Sequence, residues 1–231
     1  MRLGHIIKHA SNGVPNMPDW RPKLRSRADG NPRIMGILNI TPDSFHDQSR
    51  YETVESATKE AIALAENGAD WIDVGGESTR PGSRAVPPRE EEARVVPVIK
   101  SIRDELPDIG ISVDTRRSTV ASASLQAGAD MINDVSSLGD SGMAGVIVEY
   151  GCPVCLMHMK GTPENMQKDP QYSDVVSEVR KSLADSTSKL NLLGVDNSRI
   201  IVDPGIGFGK LLQHNPVSYT HLTLPTIPTV E

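Results

Sequence analysis

Six short apolar runs each end in a side chain able to make directional polar contacts: Asn39, Asp73 with Glu77 behind it, Asp114, Asn133 with Asp134, His158, and Asp203. One Asp at the end of a strand is ordinary, because Asp often caps the helix that follows. The same placement six times over points instead to a shared ligand. Asn and Asp at a dry apolar mouth can pair with the edge of a flat, nitrogen-rich ring. A carboxylate at Asp114 or Asp203 suits amidine-like N–H groups of the kind carried by a guanine-like ring. Asn39, an amide oxygen followed by a Thr and Asp loop, suits a hard cation such as Mg²⁺. The stretch D-V-G-G-E-S-T-R-P-G at 73–82 leaves its strand through two glycines, then offers a carboxylate, two hydroxyls and a guanidinium at Glu77, Ser78, Thr79 and Arg80. Arg80 in such a loop suits a phosphate or a carboxylate.

These groups need elements that bring them together. Ile34 to Ile40, Trp71 to Val74, Gly110 to Asp114, Met131 to Val135, Pro153 to Met159 and Ile200 to Asp203 read as strands. Helical spacing runs between them over Thr53 to Asn67, Pro87 to Leu106, Arg117 to Ala127, Ser141 to Tyr150 and Asp174 to Leu193. Glu90, Glu91 and Glu92 fall in the first turn of the second helix, where the dipole favours acids, and Pro97 should kink or break that helix. N-G-A-D-W-I-D at 67–73 returns as A-G-A-D-M-I-N at 127–133, an echo spaced about two βα units apart. Strict strand–helix alternation predicts a parallel sheet with crossover helices. A doubly wound sheet would gather ligands only at a switch point, whereas a (β/α)8 barrel gathers every strand end on one face. The expected fold is therefore α/β, a (β/α)8 TIM barrel.

Composition excludes several classes. A net charge of −6 argues against binding driven by nucleic-acid phosphates, and no apolar run approaches the roughly 20 residues of a membrane helix. Neither a nucleic acid nor a membrane is expected as a partner. Aromatic content of 3% leaves the core to Ile, Val, Leu and Ala. Cys152 and Cys155 form a C-x-x-C, but inside an apolar run, so they read as small buried hydrophobes rather than a redox pair. The first 30 residues lack a signal-peptide core, and a cytoplasmic location is expected. Residues 1–32 read as a basic, disordered leader, and 33–216 as the folded domain.

In order, the segments I-M-G-I-L-N-I-T-P-D-S-F (34–45), D-V-G-G-E-S-T-R-P-G (73–82), S-V-D-T (112–115), I-N-D-V (132–135), L-M-H-M-K-G (156–161) and V-D-P-G-I-G-F-G-K (202–210) resemble the dihydropteroate synthases, a pterin-binding TIM-barrel family of folate biosynthesis targeted by sulfonamides. The resemblance implies a transferase. It displaces pyrophosphate from 6-hydroxymethyl-7,8-dihydropterin pyrophosphate with the amine of 4-aminobenzoate, through a pterin cation formed when the leaving group departs. It implies that Asp114, Asn133 and Asp203 bind the pterin ring, with Met157 and Phe208 flanking it. Asn39 would help hold Mg²⁺ on the pyrophosphate. Thr79, Arg80 and Pro81 would belong to a mobile loop closing over 4-aminobenzoate. Asp43 and Phe45 would lie in a partner loop, Asp43 steadying the developing cation. His158 reads first as a structural histidine. A homodimer is also implied.

The chain departs from that pattern in two places. Q-S-R follows Asp47 where the family commonly has glycines, which bears on how the first loop moves. A barrel of eight strands spans about 250 residues, and about six βα units are legible here. The family's Lys near strand seven and its Arg and His on strand eight find no counterpart, and Lys210, which follows strand six, is not that Lys. Residues 217–226 read like translated adapter sequence, so 217–231 are expected to be a non-native tail. The chain as it stands is accordingly expected to be unstable and inactive. Two alternatives remain: an inactive pterin-binding fragment of the same enzyme, and a methyltetrahydrofolate–corrinoid methyltransferase. The latter leaves T-P-D-S-F and E-S-T-R-P-G unexplained.

Overall fold

The structure is a computed structural model that describes residues 24–40, 50–212 and 214–215. Asp43, Phe45, the tail at 217–231 and most of the leader lie outside the described residues. Among the described residues six strands alternate with five α-helices: β1 (Met35–Asn39), α1 (Arg50–Glu66), β2 (Trp71–Gly75), α2 (Pro88–Glu105), β3 (Gly110–Asp114), α3 (Ser118–Gln126), β4 (Met131–Asp134), α4 (Met143–Tyr150), β5 (Val154–Met157), α5 (Val175–Leu192) and β6 (Ile200–Asp203). All neighbouring strands are parallel and the spatial order is β1-β2-β3-β4-β5-β6. The order never reverses, so the sheet has no switch point and winds one way, as the expected barrel requires.

Strand register sorts the side chains. Leu38, Val74, Val113, Ile132, Val154 and Ile200 are successive partners in one row. They join the apolar core with Ala57, Ala61, Val95, Ile99, Ile102, Val120, Ile147, Val179 and Leu183 from the helices. The next residue on each strand faces the opposite way. That row reads Asn39, Gly75, Asp114, Asn133, Cys155, Ile201. One face of the sheet is thus a dry helix interface, and the other carries the polar strand ends.

The repeated G-A-D turns have a common structural job. Gly68 and Gly128 take φ of +97° and +114° after their helices, a conformation that suits glycine. Ala69 and Ala129 then donate back to the helix, to Leu64 O and Ser124 O, both at 3.0 Å. Asp70 accepts from the backbone N–H of Ile34 at 2.8 Å, and Asp130 from that of Ile111 at 2.9 Å. Each Asp also takes arginine: Arg27 and Arg33 on Asp70, Arg103 on Asp130. The arginines and the Ile34 N–H hold the Asp70 carboxyl far below its usual range, against a smaller opposing effect of burial. The echo is therefore a strand-start clamp that ties each helix to the preceding strand.

Of the kink or break expected at Pro97, the break does not occur: α2 runs uninterrupted from Pro88 to Glu105. Proline costs that helix one backbone hydrogen bond. Val95, Val98, Ile99 and Ile102 are all fully buried around it, and that packing holds the helix through the defect.

Candidate active site

The polar row is built around a missing side chain. Gly75 lies in register between Asn39 and Asp114. A Cβ there would sit 3.4 Å from Asn39 Oδ1 and 3.5 Å from Asp114 Oδ2, so both side chains lean over the glycine. Any larger residue would occupy the space between the amide and the carboxylate. Asp114 accepts no hydrogen bond among the described residues. Burial drives its carboxyl well above the normal range, and the charges of Asp73, Glu91, Asp134 and Glu77 add to that rise. A partly desolvated carboxylate without a donor is costly unless a ligand supplies one.

Asn133, beside Asp114, donates from Nδ2 to Asp73 Oδ2 at 2.9 Å. Asp73 is buried, and burial raises its carboxyl while Ser112 and Asn133 oppose the rise. Asp73 Oδ1 and Ser112 Oγ nevertheless lack a partner within hydrogen-bond geometry, so the Asn133 amide is the stronger of the two supports. Asp134, one residue on, points the other way. Its carboxylate accepts from the N–H groups of Ser136 at 2.9 Å and Leu138 at 2.7 Å, which makes it a loop-former.

Asp203 closes the far end of the sheet, paired in register with Met157. Its Oδ1 accepts from Gly205 N at 2.7 Å. Met157 is buried; Phe208 is half-buried within the loop after β6. That loop presses onto the backbone after β5: a Cβ on Gly205, whose φ is +66°, would lie 2.0 Å from His158 O. Lys210, buried, fastens it by donating to Gly205 O at 2.9 Å, Phe208 O at 3.1 Å and His158 O at 3.3 Å. Its Nζ also lies 3.0 Å from His158 Nδ1. Burial lowers Lys210 to about 8 despite the nearby Asp203.

Burial, then the Lys210 charge, lowers His158 to about 4, so the ring stays neutral and Nδ1 accepts. This is the structural histidine expected from the sequence. The sign of its linkage follows. The unfolded chain takes up this proton near pH 6.5 while the folded one waits until about 4, so stability falls as pH drops through that window. The loss should be on the order of 2 kcal/mol. Urea midpoints at pH 7, 5.5 and 4.5 for wild type and His158→Gln should diverge accordingly, and parallel curves would refute the assignment.

The loop after β2 is anchored at its base and open at its tip. Thr79 is half-buried, while Arg80 and Pro81 are exposed. Arg80 makes no ion pair among the described residues, and the structure does not bring it against the Asn39–Asn133 row. Gly82 N donates to Pro163 O at 2.9 Å, which joins this loop to the one after β5. Below the tip, Glu77 is buried and accepts from Val86 N at 2.6 Å, Arg116 Nε at 2.8 Å and Arg117 Nη1 at 3.0 Å. Arg117 reaches Glu91 as well, at 3.0 Å, and Glu91 accepts from Thr115 Oγ1 at 2.5 Å. Burial alone would raise Glu77, but the Val86 N–H and the two arginines outweigh it and lower the carboxyl; at Glu91 burial prevails and raises it.

Glu91, Thr115, Arg116 and Arg117 are absent from the sequence-derived site. Glu91 reads as a first-turn acid, yet it is fully buried. Stepping back four residues from the buried Val95 places Glu91 on the same helix face, a signal available in the sequence. Cys152 and Cys155 are free thiols. Burial pushes both up, Cys152 to about 12, which suits inert side chains and not thiolate nucleophiles. No group of three or more His, Cys, Asp or Glu able to hold a metal occurs among the described residues, nor does any helix there have the length and apolarity to cross a membrane.

The chain is similar to known proteins. The family described as pterin binding enzyme matches residues 35–224. The dihydropteroate synthase of Escherichia coli K12 is 42% identical over 202 residues, covering 85% of this chain and 71% of the relative. The Xanthomonas albilineans dihydropteroate synthase solved with 4-aminobenzoic acid superposes with a TM-score of 0.75 at 44% identity, over 82% of this chain and 67% of that one. The Yersinia pestis enzyme in a sulfonamide complex superposes with a TM-score of 0.76 at 41% identity, over 82% and 69%.

Proposed function

From the premise that the chain belongs to the pterin-binding enzyme family, among the dihydropteroate synthases, we propose how its own residues serve that transferase reaction. In the reaction the bond between the pterin methylene and the pyrophosphate oxygen breaks, and the pyrophosphate leaves with the electron pair. The amine nitrogen of 4-aminobenzoate then bonds to the methylene carbon and loses a proton. The enzyme needs no strong nucleophile of its own. It must hold the ring, neutralise the departing charge and exclude water.

The observation that carries the residue assignment is the donorless, half-buried Asp114 beside Gly75, with Asn133 next in register. In this reading Asp114 accepts from the ring's N–H groups, Asn133 and Asp203 complete the edge, and Met157 and Phe208 cover the faces. Asn39 Oδ1, leaning over Gly75, fits as a single neutral oxygen ligand for Mg²⁺, with phosphate and water oxygens filling the other positions. The ion's contribution when bound is to offset charge on the departing pyrophosphate. Thr79 and Arg80 supply the hydroxyl and guanidinium for 4-aminobenzoate, and the exposure of Arg80 suits a group that moves in once the pterin is seated. Asp43 and Phe45 keep the partner-loop roles that the resemblance gives them. Mg²⁺, a homodimer and a cytoplasmic location rest on the resemblance alone.

Calorimetric titration tests the reading. The chain should bind a pterin, and 4-aminobenzoate should bind measurably only in the presence of pterin and pyrophosphate. Absence of pterin binding, or binding of 4-aminobenzoate that ignores pyrophosphate, would overturn it.

A further inference from the structure

Asp73 is the least explained buried group among the described residues. It lies two residues before Gly75 on β2, so it faces the same side as the polar row but one layer deeper. It is buried, and among the described residues it makes no ion pair and its Oδ1 has no hydrogen-bond partner. Its one good contact is the 2.9 Å bond from Asn133 Nδ2. An amide has one donor end and one acceptor end. Holding Nδ2 downward leaves Asn133 Oδ1 as the end available to the pocket, beside the acceptor-only carboxylate of Asp114.

We propose that Asp73 is a positioning residue that sets ligand specificity: by fixing the Asn133 amide, it makes the adjoining Asn133 and Asp114 present acceptors only, so the pocket selects a ring edge that carries N–H donors. The inference rests on the pterin reading of this pocket. It also accounts for a carboxylate, rather than an apolar residue, in this buried layer. A carboxylate cannot donate, so Asn133 is locked in one orientation, whereas an apolar neighbour would leave both orientations open. Ser112 Oγ, the register neighbour of Asp73, is likewise unpartnered. It can therefore accept from an amide placed at position 73.

The test compares two probes that differ at one ring position: pterin, with a 2-amino group, and lumazine, with a 2-oxo group. The full chain should prefer pterin. Asp73→Ala should let the Asn133 amide turn, present its NH₂ and accept lumazine, reducing the pterin-to-lumazine affinity ratio at least about tenfold. Asp73→Leu replaces Ala if the smaller side chain lowers the yield of folded protein. Asp73→Asn retains an acceptor for Asn133 Nδ2 and turns its own NH₂ to Ser112, so its ratio should stay within about threefold of wild type. Loss of affinity for both probes in equal measure would mark Asp73 as merely structural and overturn the inference, as would a collapsed ratio in Asp73→Asn. If wild type binds pterin and the ratio is unchanged in Asp73→Ala, this inference alone falls. If wild type binds no pterin, the functional reading falls and this one with it.

Discussion

Asp114→Asn should abolish useful pterin binding and at the same time raise the melting temperature. The two effects have one cause. The half-buried Asp114 carboxylate lies beside Gly75 and receives no hydrogen bond among the described residues, and desolvation, with Asp73 the largest reinforcing charge, pushes its pKa well up. The folded protein therefore carries a group that is costly until a ring with N–H donors arrives. Hydrogen bonds to a charged group contribute about 1.5–3 kcal/mol each. Replacing the carboxylate by an amide, which also presents a donor where an acceptor is needed, should weaken pterin on the order of 100-fold or more. Removing the unpaired charge should stabilise the fold by about 1–2 kcal/mol, or about 3–6 °C in melting temperature. The pH dependence carries the same signature. A carboxyl whose folded pKa lies above its unfolded value loses stability as pH rises from near 3.8 through the folded value. Wild type should show that loss and Asp114→Asn should lack it. Calorimetry and thermal melts decide: a variant that binds pterin as wild type does, or melts lower, contradicts this account of the pocket.

Arg117→Met should be the most destabilising single change in the loop region. The guanidinium spans Glu77 and Glu91, whose side chains are only 6% and 1% exposed, and it also donates to Val86 O at 2.6 Å. Its loss leaves two buried carboxylates facing each other without their shared cation. Removing one partner from a buried ion pair typically costs about 3–5 kcal/mol. A fall of roughly 10 °C in melting temperature is expected. Glu91→Gln in the same background should recover part of that fall, because a neutral amide can remain buried beside Thr115. A change within about 0.5 kcal/mol of wild type, the scatter of ordinary surface substitutions, would show that the network is incidental. The network also explains why the loop carrying Thr79 and Arg80 has a fixed root and a free tip. Glu77 is pinned by Val86, just ahead of α2, and by the β3–α3 loop, while Arg80 is exposed.

The sequence by itself determined the βα alternation, the placement of all six strands to within a few residues, and the face on which the polar groups collect. These follow from local rules: an apolar strand of four or five residues has a fixed period of two, and a helix between two such strands enforces a parallel crossover. It also determined the family, because the order of loop segments such as T-P-D-S-F and E-S-T-R-P-G is written directly in the chain.

Only the tertiary structure decided which polar residues face one another. Asn133 and Asp134 are adjacent in sequence, yet alternation sends one to the pocket and the other to a loop. Glu91 reads as a dipole-favoured surface acid and becomes the buried partner of Thr115 and Arg117, since the charge that compensates it comes from more than 20 residues away. Lys210 and His158 meet across 52 positions because the β6 loop folds over the end of β5. Pro97 could kink or break α2 on local grounds, and packing on both sides of it keeps the helix continuous. In each case a side chain's role depends on a partner brought in by the sheet register, and register is a property of the assembled strands rather than of any one of them.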